Sequence, residues 1–225
     1  MREQYRQELK DIHGEVVDIL VTVTVNTRDA VTSLISGDVD LADKVIGRDD
    51  EMDSRCIGVE ERVLETIATQ FPVARDLRLL QSLAYMAIHL ERMADLSVNI
   101  AKAAKRTADR KGPQTLYDLI QAQGNLVYRV LDATREALDN RDLDLARKLP
   151  ELDEPIDHLY KQFFRELGRL NDEDDIEWAS SMVLASRYLE RIADNAVDIG
   201  ERIAYLITGE RESSHADVNS DQAAE

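Results

Sequence analysis

The chain has 225 residues, with 28 Lys and Arg against 45 Asp and Glu and a net charge of −17. That balance disfavours nucleic acid and anionic lipid surfaces, and it suits cations or a basic protein partner. Hydrophobic residues make up 44% but aromatics only 5%, which points to a helical rather than a β-sandwich core. Cys56 stands alone, so no internal disulfide is expected, and its helical core spacing predicts a buried, inert thiol.

The start of the chain lacks the apolar run of a signal peptide, and no uncharged stretch approaches the roughly 18 residues of a membrane span. A soluble cytoplasmic protein without direct membrane insertion is expected. Gly37-Asp38, Pro72, Gly112-Pro113, Asn140, Asn171-Asp172 and Thr208-Gly209 punctuate the chain and separate six polar-apolar segments. In the first, Val21 to Val25 is the nearest thing to a strand and is too short for one. The second carries Leu41, Val45, Met52, Cys56 and Val59 at core spacing; the third carries Leu83, Met86, Leu90, Met93, Ser97, Ile100 and Ala104. The fifth repeats the second with Leu145, Leu149, Leu152, Ile156 and Leu159, and Pro155 should kink it or mark a late start. The sixth has the cleanest seam, from Met182 and Ala185 through Leu189, Ile192, Ala196 and Ile199 to Ile203 and Leu206. Short connections imply antiparallel neighbours. The expected fold is all-α, six long helices as two tandem antiparallel three-helix bundles: residues 1–110, residues 114–208, and a disordered acidic tail over 209–225.

The two halves are copies. Leu90-Glu91-Arg92-Met93-Ala94-Asp95 returns as Leu189-Glu190-Arg191-Ile192-Ala193-Asp194, 99 positions on, and Asp38-Val39-Asp40-Leu41-Ala42 returns as Asp142-Leu143-Asp144-Leu145-Ala146, 104 positions on. In the second register Asp49 and Asp53 fall on Asp153 and Asp157. Away from the seam of the sixth segment, Glu190, Asp194 and Asp198 stack at i, i+4 and i+8, with Glu91, Asp95 and Asn99 at the matching places. Like charges at this spacing destabilise a helix by a few tenths of a kcal/mol per pair. Recurrence in both halves therefore favours a cation site built from two neighbouring helices. Such oxygen donors suit Mg²⁺, Mn²⁺ or iron, with Zn²⁺ also open. Against this stands a solvated face on which Arg92 and Arg191 pair with Asp95 and Asp194. His89 and His158 adjoin the ladders as occasional ligands, His13 reads as a surface residue, and Glu212-x-x-His215 falls in the tail.

The duplicated Leu-Glu-Arg-(Met/Ile)-Ala-Asp, followed by Val-Asn-Ile or Val-Asp-Ile, resembles the PhoU family of bacterial phosphate-signalling regulators. Glu91-x-x-x-Asp95 and Glu190-x-x-x-Asp194 match its paired acidic motif over residues from about 5 to 208. Leu96 and Asn195 stand where the family often has His. The resemblance implies a six-helix protein, commonly a homodimer and not an enzyme, whose acidic motifs can hold metal. It implies repression of the phosphate-starvation response by linking an ATP-driven phosphate importer to a sensor histidine kinase. Two other readings stay open: a carboxylate-bundle metal enzyme of iron-oxidase type, against which the bundle's lack of Glu-x-x-His counts, and a metal-free helical adaptor. A phosphorelay on His89 is a weaker third.

Overall fold

A computed structural model describes residues 2–170 and 176–210. Its helices are α1 (Arg2–Ser36), α2 (Val39–Ile46), α3 (Asp49–Gln70), α4 (Ala74–Thr107), α5 (Gln114–Asn140), α6 (Leu143–Leu167) and α7 (Ile176–Thr208). Six are long and one is short, and no strand occurs among the described residues; Val21 to Val25 lies inside α1. The expected break at Asn171-Asp172, Glu212-x-x-His215 and the tail from residue 211 on lie outside the described residues.

The repeated Asp-x-Asp-Leu-Ala is a helix start. Asp38 caps α2 by accepting from the Leu41 N–H at 2.9 Å, and Asp142 caps α6 by accepting from the Leu145 N–H at 3.0 Å. Each such cap contributes about 1 kcal/mol. After this common start the halves diverge. The second segment, expected as one helix, is broken: α2 ends at Gly47, whose N–H bonds back to the Asp43 and Val45 carbonyls. Arg48 then reaches α1, donating to Asn26 Oδ1 and Asp29 Oδ2, both at 2.9 Å. The fifth segment behaves oppositely, because α6 runs unbroken through both Pro150 and Pro155, with no late start. Pro150 has no N–H to offer the Ala146 carbonyl. That carbonyl faces Gly200 of α7, where an added Cβ would lie only 3.1 Å from its oxygen. The missing side chain lets α7 close on the gap in the α6 hydrogen-bond ladder.

One core runs through both halves. Every seam position predicted on α4 and α7 is buried, and in α2, α3 and α6 only Leu41, Leu145, Leu152 and Leu159 keep partial exposure. Each fully buried Leu, Ile or Met contributes about 1.5–3 kcal/mol of transfer free energy. Between the halves, α4 and α7 run antiparallel, with His89 on Asn195 and the Arg202 guanidinium 3.8 Å over the Tyr85 ring. The α1–α5 pair is antiparallel too, with Arg28 over the Tyr128 ring and Gly124 against Val31. At the junction of the halves, Gly112 lies flat on the Trp178 indole, whose N–H donates to the Tyr117 hydroxyl at 3.0 Å.

Candidate metal centre

Packing of α3 on α4 makes the first acidic group. Oxygens of Asp49, Asp53 and Asp95 all lie within 4.8 Å of one another, the one such trio of His, Cys, Asp or Glu side chains among the described residues. The α2–α3 break matters here, because it puts Asp49 in the first turn of α3, where the helix dipole favours negative charge. Burial, then Asp53 and Asp95, raise the Asp49 pKa against this help, and burial with the same two aspartates raises that of Glu91. Asp49 Oδ1 and Asp53 Oδ1 are buried without a hydrogen-bond partner. A carboxylate oxygen in that condition costs at least about 1–3 kcal/mol unless something positive meets it. Cys56 sits behind the group with its thiol pKa pushed up to about 12 by burial, Glu91 and Asp53, so it stays protonated and offers no soft ligand. The available donors are oxygens, which fit a hard or borderline cation.

Its counterpart on α6 and α7 is different. Asp153 is pushed up to about 7 by burial, then by Asp157, Asp194 and Glu190; Glu190 is also pushed to about 7, by burial and then Asp194. Burial and Asp157 raise Asp194. Asp153 Oδ1 and Glu190 Oε2 are buried and unpartnered. Glu190 itself is only 8% exposed, because α6 packs over the side of α7 that carries it. The ion pairs expected of Arg92 with Asp95 and Arg191 with Asp194 are absent among the described residues. Instead Arg187 bonds to Glu190 from one turn before it, its guanidinium 5.6 Å over the Tyr160 ring. Sequence reasoning missed this residue, although its i, i+3 spacing to Glu190 was visible. In the first half the matching position is Ile88, so only the second group carries a resident arginine.

The third rungs part company. Asp198 raises the Asp194 pKa, yet its Oδ2 lies 3.5 Å from Nδ1 of His89 on α4, while Asn99 is half-buried and outside the first trio. His89 is buried against Tyr85 and hydrogen-bonded through Nδ1 to Asn195 Oδ1 at 2.9 Å; burial lowers its pKa. It ties α4 to α7 and joins neither group. His158 is exposed, with its ring on the Glu154 carbonyl. His13, expected on the surface, is half-buried near the end of α5, and its pKa is lowered by burial and by Arg141.

Fold and site together define a class: a duplicated six-helix bundle with one carboxylate group on each half. The sequence profile of the PhoU domain matches residues 16–104 and again residues 120–203. The phosphate-specific transport system accessory protein PhoU homolog of Clostridium acetobutylicum is 31% identical over 216 residues, 93% of this chain and 97% of that one. The crystal structure of PhoU from Pseudomonas aeruginosa superposes with a TM-score of 0.87 at 29% identity, covering 92% of this chain and all of that one. The phosphate transport system regulatory protein PhoU from Streptococcus pneumoniae gives 0.84 at 26% identity, covering 93% of this chain and 99% of that one. The chain belongs to the PhoU family. No helix among the described residues is long and apolar enough to cross a membrane.

Proposed function

We propose that this protein regulates phosphate uptake and represses the phosphate-starvation response from the cytoplasm, as a homodimer linking an ATP-driven phosphate importer to a sensor histidine kinase, without catalysis of its own. The observation that carries this reading is the double family match, one per repeat, together with relatives named for the phosphate-specific transport system over nearly their whole length. Deletion of the protein should raise alkaline phosphatase in phosphate-replete cells, and wild type should silence it. Low activity in a deletion strain without a paralogue would refute the regulator.

Metal binding is the second part of the proposal. Asp49, Asp53, Glu91 and Asp95 would hold a cation such as Mg²⁺, Mn²⁺, iron or Zn²⁺, its charge meeting the two orphaned oxygens and stiffening the α3–α4 surface for a partner. Asp153, Asp157, Glu190 and Asp194 offer the same donors, but Arg187 already supplies a positive charge to Glu190. Occupancy should raise the melting temperature of EDTA-stripped protein as the cation is added. No change with any of these cations would sink the metal reading. If a variant with Glu91, Asp95, Glu190 and Asp194 all changed to Ala still silences the phosphatase, the carboxylates are structural and the metal-free adaptor is correct.

A further inference from the structure

At the end of the bundle remote from the α1–α2 turn, the first turns of α1, the start of α4, the α5–α6 turn and the end of α7 enclose a cleft of about 460 Å³. Its rim is cationic in a chain that is otherwise strongly acidic. Arg6 and Lys10 come from α1, Arg75 from α4 and Arg141 from the α5–α6 turn, with half-buried His13 between them. None of the four cationic side chains forms an ion pair or hydrogen bond with a described residue. The two carboxylates of the lining are already engaged: Asp76 accepts from the Tyr5 hydroxyl at 3.0 Å, and Asp139 pairs with Arg135 at 3.6 Å. The floor is apolar, made of Leu9, Leu79 and Leu206.

Backbone conformation adds a second observation. Arg141 sits at φ 51°, directly after α5, where glycine is the favoured residue, and Ala74 just before Arg75 is at φ 46°. A positive φ at a residue other than glycine persists only where the surrounding structure over-determines it. Arg75 and Arg141 both line the cleft.

We propose that this cleft binds a small phosphorylated organic anion of nucleotide size, its phosphates held by Arg6, Lys10, Arg75 and Arg141 and its apolar part on the leucine floor. Guanidinium forks match phosphate oxygens in pairs, which favours phosphate chemistry over a lone carboxylate. The volume lies within the roughly 300–1,000 Å³ of small-molecule sites, more than one inorganic phosphate fills. Because the lining comes from both halves of the duplication, occupancy bridges them. The site is separate from the acidic groups and does not depend on the reading of their metal.

The test is isothermal titration of the full chain with ADP, ATP and inorganic phosphate, in EDTA so that no metal carries a nucleotide to the carboxylates. A nucleotide should bind at least about tenfold more tightly than inorganic phosphate, through the added contact with the floor. Arg141→Gly removes a cation while keeping the backbone comfortable, so it should weaken binding by at least about tenfold without lowering the melting temperature. Arg75→Gln should do the same. The idea is overturned if neither nucleotide binds at millimolar concentration, or if inorganic phosphate binds equally well. It is also overturned if an Arg75→Gln/Arg141→Gly double variant with an unchanged circular dichroism spectrum keeps wild-type affinity.

Discussion

Gly200→Ala is expected to destabilise the protein, although alanine is the better helix former. A Cβ at position 200 would lie 2.5 Å from Leu149 Cδ1 and 3.1 Å from the Ala146 carbonyl oxygen. Leu149 is fully buried, and the carbonyl belongs to a helix that cannot retreat without losing its contact with α7. Overpacking of this severity costs about 2–3 kcal/mol. The helix-propensity gain returns about 1 kcal/mol. The net loss of about 1–2 kcal/mol should lower the melting temperature by about 2–8 °C for a chain of this size. Gly14→Ala is the control, because nothing lies within 4 Å of its added Cβ; it should instead raise the melting temperature by about 2–4 °C. Both are read by circular dichroism melting in EDTA. If Gly200→Ala melts at or above wild type while Gly14→Ala behaves as expected, the Gly200–Ala146 contact does not set the α6–α7 spacing. The account of how α6 tolerates Pro150 would fall with it. The same antiparallel contact brings Asp157 and Asp153 to Glu190 and Asp194, so a wedge at Gly200 should also weaken cation binding there.

Three further outcomes follow from the acidic groups. In metal-free protein Asp153 and Glu190 hold protons up to about pH 7 that the unfolded chain has released by about pH 4, so their contribution is favourable at low pH and is lost as pH rises through about 7. The stability of Asp153→Asn relative to wild type should therefore grow between pH 5 and 8, by on the order of 1 kcal/mol once solvent screening of the partly exposed carboxylate is allowed for; a constant difference across that range would contradict it. Asp194→Ala should lower cation binding by calorimetry while leaving the helical circular dichroism intact, since the residue lies off the apolar seam; loss of helix would show that Asp194 supports the packing. Arg187→Ile gives the second half the residue found at Ile88 and frees Glu190, so the second group should bind its cation more tightly by calorimetry; an unchanged affinity means that Arg187 does not compete with a cation.

The sequence by itself determined the six long helices, the duplication and the α4 and α7 seams. These depend on spacings of three and four residues and on hydrogen bonds reaching no further than one turn. It also determined that Asp49, Asp53, Glu91 and Asp95 belong to one half and Asp153, Asp157, Glu190 and Asp194 to the other. Only the tertiary structure decided which oxygens converge, because that depends on the register in which two helices cross. Asn99 falls outside the first trio, Asp198 turns toward His89, and Arg187 enters the second group from one turn away. The break after Ile46 and the unbroken path of α6 through two prolines were decided the same way, by Arg48 reaching α1 and by Gly200 closing on Ala146. The cationic cleft was invisible for the same reason. Arg6, Arg75 and Arg141 are far apart along the chain, and the antiparallel packing of two repeats makes them neighbours.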